Sequence, residues 1–261
     1  MNNSLLKALD LLDVFTTTDA RLSLTEISRR LGLPKSTTHR ILATLHARGF
    51  VERLENDDYG LGTAIVALGQ TVRVNVEVRD RAATIARALA ERCKESIYVA
   101  VLEGDHVLYI YAIETSQRLA ARTAVGDRAP LYCTGVGKAC LAMLATDDPA
   151  LLDGIDLPPI TPNTITDIDV LRTDLRGIRE RGYSVDREEH EDGTYCTAAP
   201  FFGADGRVVG AISISGRHPE IVGSRLPELS RAVGEAAGQI SSRLGFVAPR
   251  PSSATARHLI R

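Results

Sequence analysis

The segment 22-LSLTEISRRLGLPKSTTHR-40 constrains the fold most, because it predicts two short helices joined by a tight turn. Ser23, with Glu26 three residues later, forms a capping box, in which the serine hydroxyl accepts from a backbone amide and the glutamate reaches back. Gly32 is suited to end this helix, and Leu33-Pro34 allow a tight turn before the next one. The segment is therefore typical of a helix-turn-helix.

The helix after the turn carries an apolar stripe made by Ile41, Leu42 and Leu45, and Gly49 is placed to end it. If this stripe packs against the other helices, the polar residues of the first turns face outward. These residues are Lys35, Ser36, Thr37, His39 and Arg40. Short hydroxyls and cations at the amino end of a helix suit the DNA major groove, where free backbone amides also favour phosphate. We therefore predict a recognition helix here.

Two neighbouring patterns complete a winged helix-turn-helix. Apolar residues recur at helical spacing from Leu5 to Phe15, which predicts a first helix. The stretch 50-FVERLENDDYGLG-62 contains two short extended segments around an Asn-Asp-Asp turn, and it predicts a β-hairpin. The order of three helices and a hairpin is that of a winged helix-turn-helix.

The whole chain has a net charge of -2, so it carries no overall charge that would attract nucleic acid. Between Arg21 and Arg53, however, seven Arg or Lys residues face two Glu residues, which gives 7 - 2 = +5. We expect Arg40 to bond guanine, worth about 1–3 kcal/mol of discrimination. Lys35, Ser36 and, on the wing, Arg53 are expected to hold phosphates. The alternative is a solvated basic face on a protein-interaction module.

The second half of the chain has the pattern of an α+β domain. Strand-like segments cover residues 96–104, 106–114, 183–189, 195–202 and 207–215. Helical spacing recurs in 135–144, 168–178 and 226–244. Gly104-Asp105 joins the first two strands as a hairpin. This alternation predicts one antiparallel sheet flanked by helices.

The predicted organisation has four parts. Residues 1–63 form the winged helix-turn-helix, 64–77 a linker helix and 78–247 the second domain. Residues 248–261 are polar, rich in Pro and Ser and basic, and we expect a disordered tail there. No apolar run has the length of a membrane span, and the first residues lack the apolar segment of a signal peptide. We therefore expect a cytoplasmic protein with no membrane partner.

Three separated groups of motifs in the right order resemble the IclR family of bacterial transcriptional regulators, and the resemblance covers residues 4–245. The motifs are 22-LSLTEISRRLGLPKSTTHRILATL-45, 130-PLYCTGVGKACLA-142 and 182-GYSVDREEHEDGTYCTAAPFF-202 with 210-GAISISG-216. The resemblance implies a winged helix-turn-helix, a linker helix and a GAF-like effector-binding domain. It implies a ligand-responsive regulator, a repressor rather than an activator. A homodimer or tetramer would bind a near-palindromic double-stranded operator.

The resemblance also implies an effector pocket. Carried over, its residues are Gly135, Val136, Asp186, Cys196, Ser213 and Ser215. The sequence departs from the family at Thr38, where a small apolar residue is common, and at 216-GRH-218, where Gly-Pro usually follows the last strand. The second departure puts the end of that strand in question.

The pocket residues have suitable chemistry apart from the resemblance. Gly135 and Gly137 would leave backbone amides open at the start of a helix, an arrangement that binds anions. Ser213 and Ser215 share one face of a strand. A small carboxylate effector fits this set, and Arg118 and Arg122, if they approach the pocket, favour an organic acid. The alternative for the serines is the polar face of a half-exposed strand.

Asp186 would repel an adjacent carboxylate. We therefore expect it to accept from a ligand hydroxyl or to orient a neighbouring donor, and the alternative is a surface acid at a strand end. The sequence has no nucleophile elbow and no dinucleotide or P-loop glycine pattern, and Lys138 is expected to pair with an acid. The acidic run 188-EEHEDG-193 lacks a partner cluster at metal-ligand spacing. We predict no enzyme, no cofactor and no metal site.

The four cysteines show no metal-ligand spacing and are expected to be buried thiols. The rival hypothesis is a cysteine-based redox sensor or a GAF-type enzyme that uses Cys133, Cys140 or Cys196. Oxidation that changes DNA affinity without a metabolite would favour that rival.

Overall fold

The structure is a computed structural model that describes residues 2–16, 19–71, 76–114 and 125–247. The chain divides into two compact units, Met1–Val74 and Asn75–Arg261. Each unit contains its own hydrophobic core. The division lies inside the segment predicted as one linker helix. That segment contains most of one helix, which ends at Thr71, and the first residues of another, which begins at Val76.

The N-terminal unit is a winged helix-turn-helix. Its helices are α1 (Asn3–Asp13), α2 (Leu24–Leu31), α3 (Lys35–Ala47) and α4 (Thr63–Thr71). Its strands are β1 (Leu22–Ser23), β2 (Val51–Arg53) and β3 (Asp58–Leu61), in the sheet order β1-β3-β2. The sequence predicted β2 and β3 but missed β1, which adds two residues to the open edge of the hairpin. The predicted fold of this half is confirmed.

Local interactions explain where the helices of this unit begin and end. The Ser23 hydroxyl accepts a hydrogen bond from the Glu26 amide at 3.3 Å, so half of the predicted capping box forms. The other half does not, because the Glu26 carboxylate accepts instead from Arg29 and Arg30. Gly32 ends α2 in left-handed backbone with φ 62°, as its lack of a Cβ allows.

The second unit is built on one antiparallel sheet of six strands in the order β6-β5-β4-β9-β8-β7. The strands are β4 (Ser96–Glu103), β5 (His106–Ile113), β6 (Arg128–Pro130), β7 (Ser184–Arg187), β8 (Tyr195–Phe202) and β9 (Val208–Gly216). The helices are α5 (Val76–Cys93), α6 (Gly135–Asp147), α7 (Ile168–Arg181) and α8 (Leu226–Arg243). The predicted α+β architecture is confirmed, and β9 extends through the glycine where its end was in question.

Both faces of this sheet are covered by helices. On β4, Ile97 and Val99 point to a core shared with α5 and α8, whereas Tyr98 and Ala100 point to a core shared with α6 and α7. This alternation follows from the two-residue period of a strand. The second face is the less purely apolar, and the candidate ligand cavity lies on it.

Two predictions concern residues outside those described. They are the disordered tail 248–261 and the approach of Arg118 and Arg122 to the pocket. Within the described residues, no helix is both long and apolar enough to cross a membrane.

Candidate DNA-binding face and ligand cavity

The start of α3 presents the predicted DNA-binding side chains to solvent. Leu42 and Thr38 are fully buried on the inner side of the helix, and the Thr38 hydroxyl donates to the Pro34 carbonyl at 3.2 Å. The predicted residues lie on the other sides: Lys35, Ser36, His39 and Arg40 are exposed and Thr37 is half-buried. The hydroxyl of Thr38, the residue noted above as a departure from the resemblance, is thus satisfied.

The amino end of α3 is suited to an anion. No side chain caps it, because Pro34 occupies the cap position. Uncapped amides and the helix dipole attract negative charge at such an end. Lys35, the first residue of the helix, adds a full positive charge beside them.

Ion pairs divide the cations of this unit into two groups. Arg29 and Arg30 bind the Glu26 carboxylate, and their hydrogen bonds lower the pKa of Glu26 to about 2. On the wing, Arg53 is exposed but lies 2.7 Å from the Asp57 carboxylate. The +5 count of the sequence therefore overstates the charge that is free to meet a phosphate.

Lys35 and Arg40 belong to the other group. Neither takes part in an ion pair or a side-chain hydrogen bond with any described residue. No described residue therefore neutralises these two charges, whereas the wing cation Arg53 is paired with Asp57.

The second unit contains a polar cavity of about 40 Å³ beside the sheet. All six residues expected at the effector pocket line it: Gly135, Val136, Asp186, Cys196, Ser213 and Ser215. Six further lining residues were not expected: Tyr98, Tyr109, Thr134, His190, Glu191 and Thr194. The two tyrosines could have been found from the sequence, because the alternation along β4 and β5 places them on the same face of the sheet as the serines of β9. The loop residues carry none.

Strand register explains why distant residues meet at the cavity. Asp186 on β7 is opposite Cys196 on β8, which is opposite Ser215 on β9. Ser213 lies two residues away on the same face, with its hydroxyl oxygen 3.4 Å from that of Ser215. Both serines are buried, so the half-exposed strand does not describe them.

The start of α6 lines the cavity, and one of its first amides is occupied by the Thr134 side chain. The Thr134 hydroxyl accepts from the Gly137 amide at 3.0 Å. The Gly135 backbone lies close enough to the Asp186 carboxyl to lower its pKa. The expectation of an amide open to an anion is therefore wrong for Gly137. The glycines serve close packing instead, because a Cβ on Gly135 would lie 2.5 Å from the Cys196 sulfur.

Asp186 is a buried acid rather than a surface one. It accepts a hydrogen bond from the Glu189 amide at 2.9 Å. Burial, together with the nearby negative charge of Glu189, raises the pKa of Asp186 to about 7. This carboxyl is consequently near its midpoint of ionisation at neutral pH, and it is able to donate as well as to accept.

A buried ion-pair network holds the acidic loop 188–193, which contributes His190 and Glu191 to the lining of the cavity. The Lys138 ammonium is 2.6 Å from Glu189 and 2.9 Å from Asp174, which confirms that it pairs with acids. The Thr164 hydroxyl donates to the Glu189 carbonyl at 2.6 Å. The second carboxylate oxygen of Glu189 has no hydrogen-bond partner in the described part of the chain. The network therefore fixes the acidic loop to α6 and α7.

The described residues of the acidic run 188-EEHEDG-193 and the four cysteines bear on the metal-site and redox hypotheses. Among the described residues, no group of His, Cys, Asp and Glu could hold a metal ion. All four cysteines are free and buried. Burial raises the pKa of Cys133 and of Cys196 to about 12, so neither is a thiolate at neutral pH. The redox hypothesis is not favoured.

A winged helix-turn-helix with an exposed basic recognition helix, joined in one chain to a domain with a small polar cavity, defines a ligand-responsive DNA-binding regulator. The chain matches the IclR helix-turn-helix domain over residues 4–55 and the C-terminal domain of the bacterial transcriptional regulator IclR over residues 70–242. It belongs to the IclR family of transcriptional regulators.

Named relatives and a solved structure agree with this family. The chain is 32% identical to the HTH-type transcriptional regulator XynR of Escherichia coli over 93% of its length and 97% of that protein. It is 34% identical to the HTH-type transcriptional repressor AllR of Escherichia coli over 87% and 84%. An IclR homologue of Microbacterium hydrocarbonoxydans, complexed with 4-hydroxybenzoate, has the same fold, with a TM-score of 0.81 and 24% identity over 93% and 99%.

Proposed function

We propose that the protein is a repressor that binds a near-palindromic operator through α3 and is released or modulated by a small organic acid. The observation that carries the DNA-binding part is the pair of unneutralised cations, Lys35 and Arg40, on the exposed side of a helix whose inner side is anchored by Leu42. The relative AllR is itself named a repressor. A homodimer or tetramer would place two copies of α3 in successive major grooves.

The residues of α3 would divide their work between bases and phosphates. Arg40 would reach a guanine edge, whereas Lys35 and Ser36, beside the uncapped end of α3, would hold phosphate. Thr37 and His39 would contact the DNA major groove. Arg53 would meet phosphate only after exchanging its Asp57 partner, so we assign it the smallest share.

The cavity would hold the effector. Its volume of about 40 Å³ leaves room for roughly three water molecules, so the ligand is small or the cavity widens on binding. The side chains offer hydroxyls and two acids but no Lys or Arg among the described lining residues. A carboxylate ligand would then bind beside Asp186 in its protonated form, which donates a hydrogen bond instead of repelling.

Regulation requires a coupling free energy between effector and DNA. The effector must bind one arrangement of the dimer or tetramer better than the other, and the operator must favour one of the two. A tenfold change in operator affinity needs only about 1.4 kcal/mol of such coupling. We also propose a protein without catalytic activity, in line with relatives named as regulators.

Two variants test the two sites separately. Arg40→Ala should abolish specific operator binding in a gel shift while effector binding by calorimetry is unchanged. The double variant Ser213→Ala, Ser215→Ala should keep operator binding and lose its response to effector. Unchanged operator affinity in the first variant, or normal ligand affinity in the second, would contradict the assignment concerned.

A further inference from the structure

A second groove lies in the N-terminal unit, between α1 and α3, and has a volume of about 360 Å³. Three residues of α1 line it, Ser4, Lys7 and Ala8. Five residues of α3 complete it: Thr37, Arg40, Ile41, Thr44 and Leu45. Arg40 and Thr37 are also on the predicted DNA-contacting side of α3, so the groove is continuous with that surface.

The charge of this groove is positive and unneutralised. Its lining includes two cations, Lys7 and Arg40, and no carboxylate. Lys7 is half-buried and Arg40 is exposed, and neither makes an ion pair or a side-chain hydrogen bond with a described residue. Arg30, in contrast, is bound to both Asp19 and Glu26. The groove therefore attracts an anion, and no described acid competes for it.

The lining of this groove contains both apolar side chains and side chains with a hydroxyl group. Ala8, Ile41 and Leu45 supply carbon surface that needs no hydrogen-bond partner. Hydroxyl groups of Ser4 and Thr37 are available to donate to phosphate oxygens. A sugar–phosphate backbone has both characters, with charged phosphates between less polar sugars.

We propose that Lys7 holds a phosphate of the operator backbone, so that the DNA-contacting surface extends from α3 onto α1. This inference rests on the proposed entry of α3 into a major groove. Because Arg40 borders both surfaces, the strand that it meets passes the mouth of the α1–α3 groove. The interaction fixes the position of the protein on the duplex and carries no sequence information.

The salt dependence of DNA binding tests the role of Lys7. Full-length protein is titrated into a fluorescently labelled random-sequence duplex at several KCl concentrations, and log Kd is plotted against log salt. Neutralising one phosphate-binding cation should lower the slope by about 0.9, so Lys7→Gln should lower it by about 0.9 for each protomer engaged. Lys7→Arg should keep the wild-type slope. Arg176→Gln, which removes an exposed cation of the second unit, serves as the charge-matched control and should leave the slope unchanged.

The outcomes are distinct. An unchanged slope in Lys7→Gln overturns the inference, and so does a slope that falls equally in Lys7→Arg, which would indicate disturbed packing. A change of oligomeric state in sedimentation, with the slope kept, would assign the groove to an interface between copies of the chain and likewise overturn it. If the wild-type protein shows no salt-dependent binding to duplex DNA, the proposed function itself fails.

Discussion

Replacing Asp186 by asparagine should make the sheet domain more stable at pH 8. The folded protein raises the pKa of this carboxyl from 3.8 to about 7, a difference of 7 - 3.8 = 3.2. The folded state thus binds the proton more tightly than the unfolded chain does. The associated stability is present below pH 4 and is lost as pH rises to about 7, at about 1.36 kcal/mol for each pH unit.

The full loss above pH 7 amounts to about 4 kcal/mol, taken as an upper bound. Asparagine has nearly the same shape and never ionises, and its carbonyl oxygen is able to keep the 2.9 Å bond from the Glu189 amide. We therefore expect Asp186→Asn to exceed the wild type at pH 8 by up to about 4 kcal/mol. The difference should shrink toward zero, or reverse, near pH 4.

Urea unfolding followed by circular dichroism at fixed protein concentration, from pH 4 to pH 8, measures this difference. Asp192→Asn, which changes an exposed acid in the same loop, is the matched control and should follow the wild-type curve. Parallel curves for Asp186→Asn and the wild type across this range would refute the reasoning, because they would mean that Asp186 ionises in the folded protein at no extra cost.

Three further predictions concern the cavity and its supports. Lys138→Met should destabilise the second unit by about 3–5 kcal/mol in the same unfolding assay, because it leaves the buried Glu189 charge unpaired; a destabilisation below about 1 kcal/mol would contradict the network. Gly135→Ala should lower the free energy of unfolding by about 1–3 kcal/mol, because the added methyl would lie 2.5 Å from the Cys196 sulfur. The same variant should abolish effector binding in calorimetry, and unchanged effector affinity would contradict the placement of the effector beside Gly135. The thiols of Cys133 and Cys196 should react with an aromatic disulfide reagent at pH 8 only as fast as the protein unfolds, and fast labelling of the native protein would reopen the redox hypothesis.

The sequence predicted most of the fold because helices and strands are specified locally. Ser23 and Gly32 bound α2 through interactions within a few residues, and Gly104 turns the β4–β5 hairpin at φ 62°. The missed β1 has only two residues and pairs with a strand far along the chain, so no local period indicates it. The linker helix over residues 64–77 stays a prediction, because residues 72–75 lie outside the described part of the chain.

The candidate sites were predictable to different degrees for a physical reason. The apolar stripe alone predicts an exposed recognition helix. Leu42 is buried on the inner side of α3, so the side chains on the opposite side of the helix face solvent. The state of its charges does not follow, because the partner of Arg53 is set by how the wing turn folds over Asp57. Charge counts along a sequence therefore mark where a basic surface lies, but only the ion pairs show which cations remain free.

Inside the cavity too, the pairing of charges decides which ligands bind, and a count of the charged lining residues does not. Lys138 is the only described Lys or Arg that pairs with Glu189. Asp186 forms no ion pair with a described residue, so a negative charge on it is not balanced by a cation of its own. An effector that brings a carboxylate adds a further negative charge, and it is accommodated only when a proton stays on Asp186. An effector that brings hydroxyl or amide donors has no such requirement and is free to bind the ionised form. The pH dependence of effector affinity therefore distinguishes the two ligand classes: affinity for a carboxylate should weaken above about pH 7, whereas affinity for a neutral donor should not.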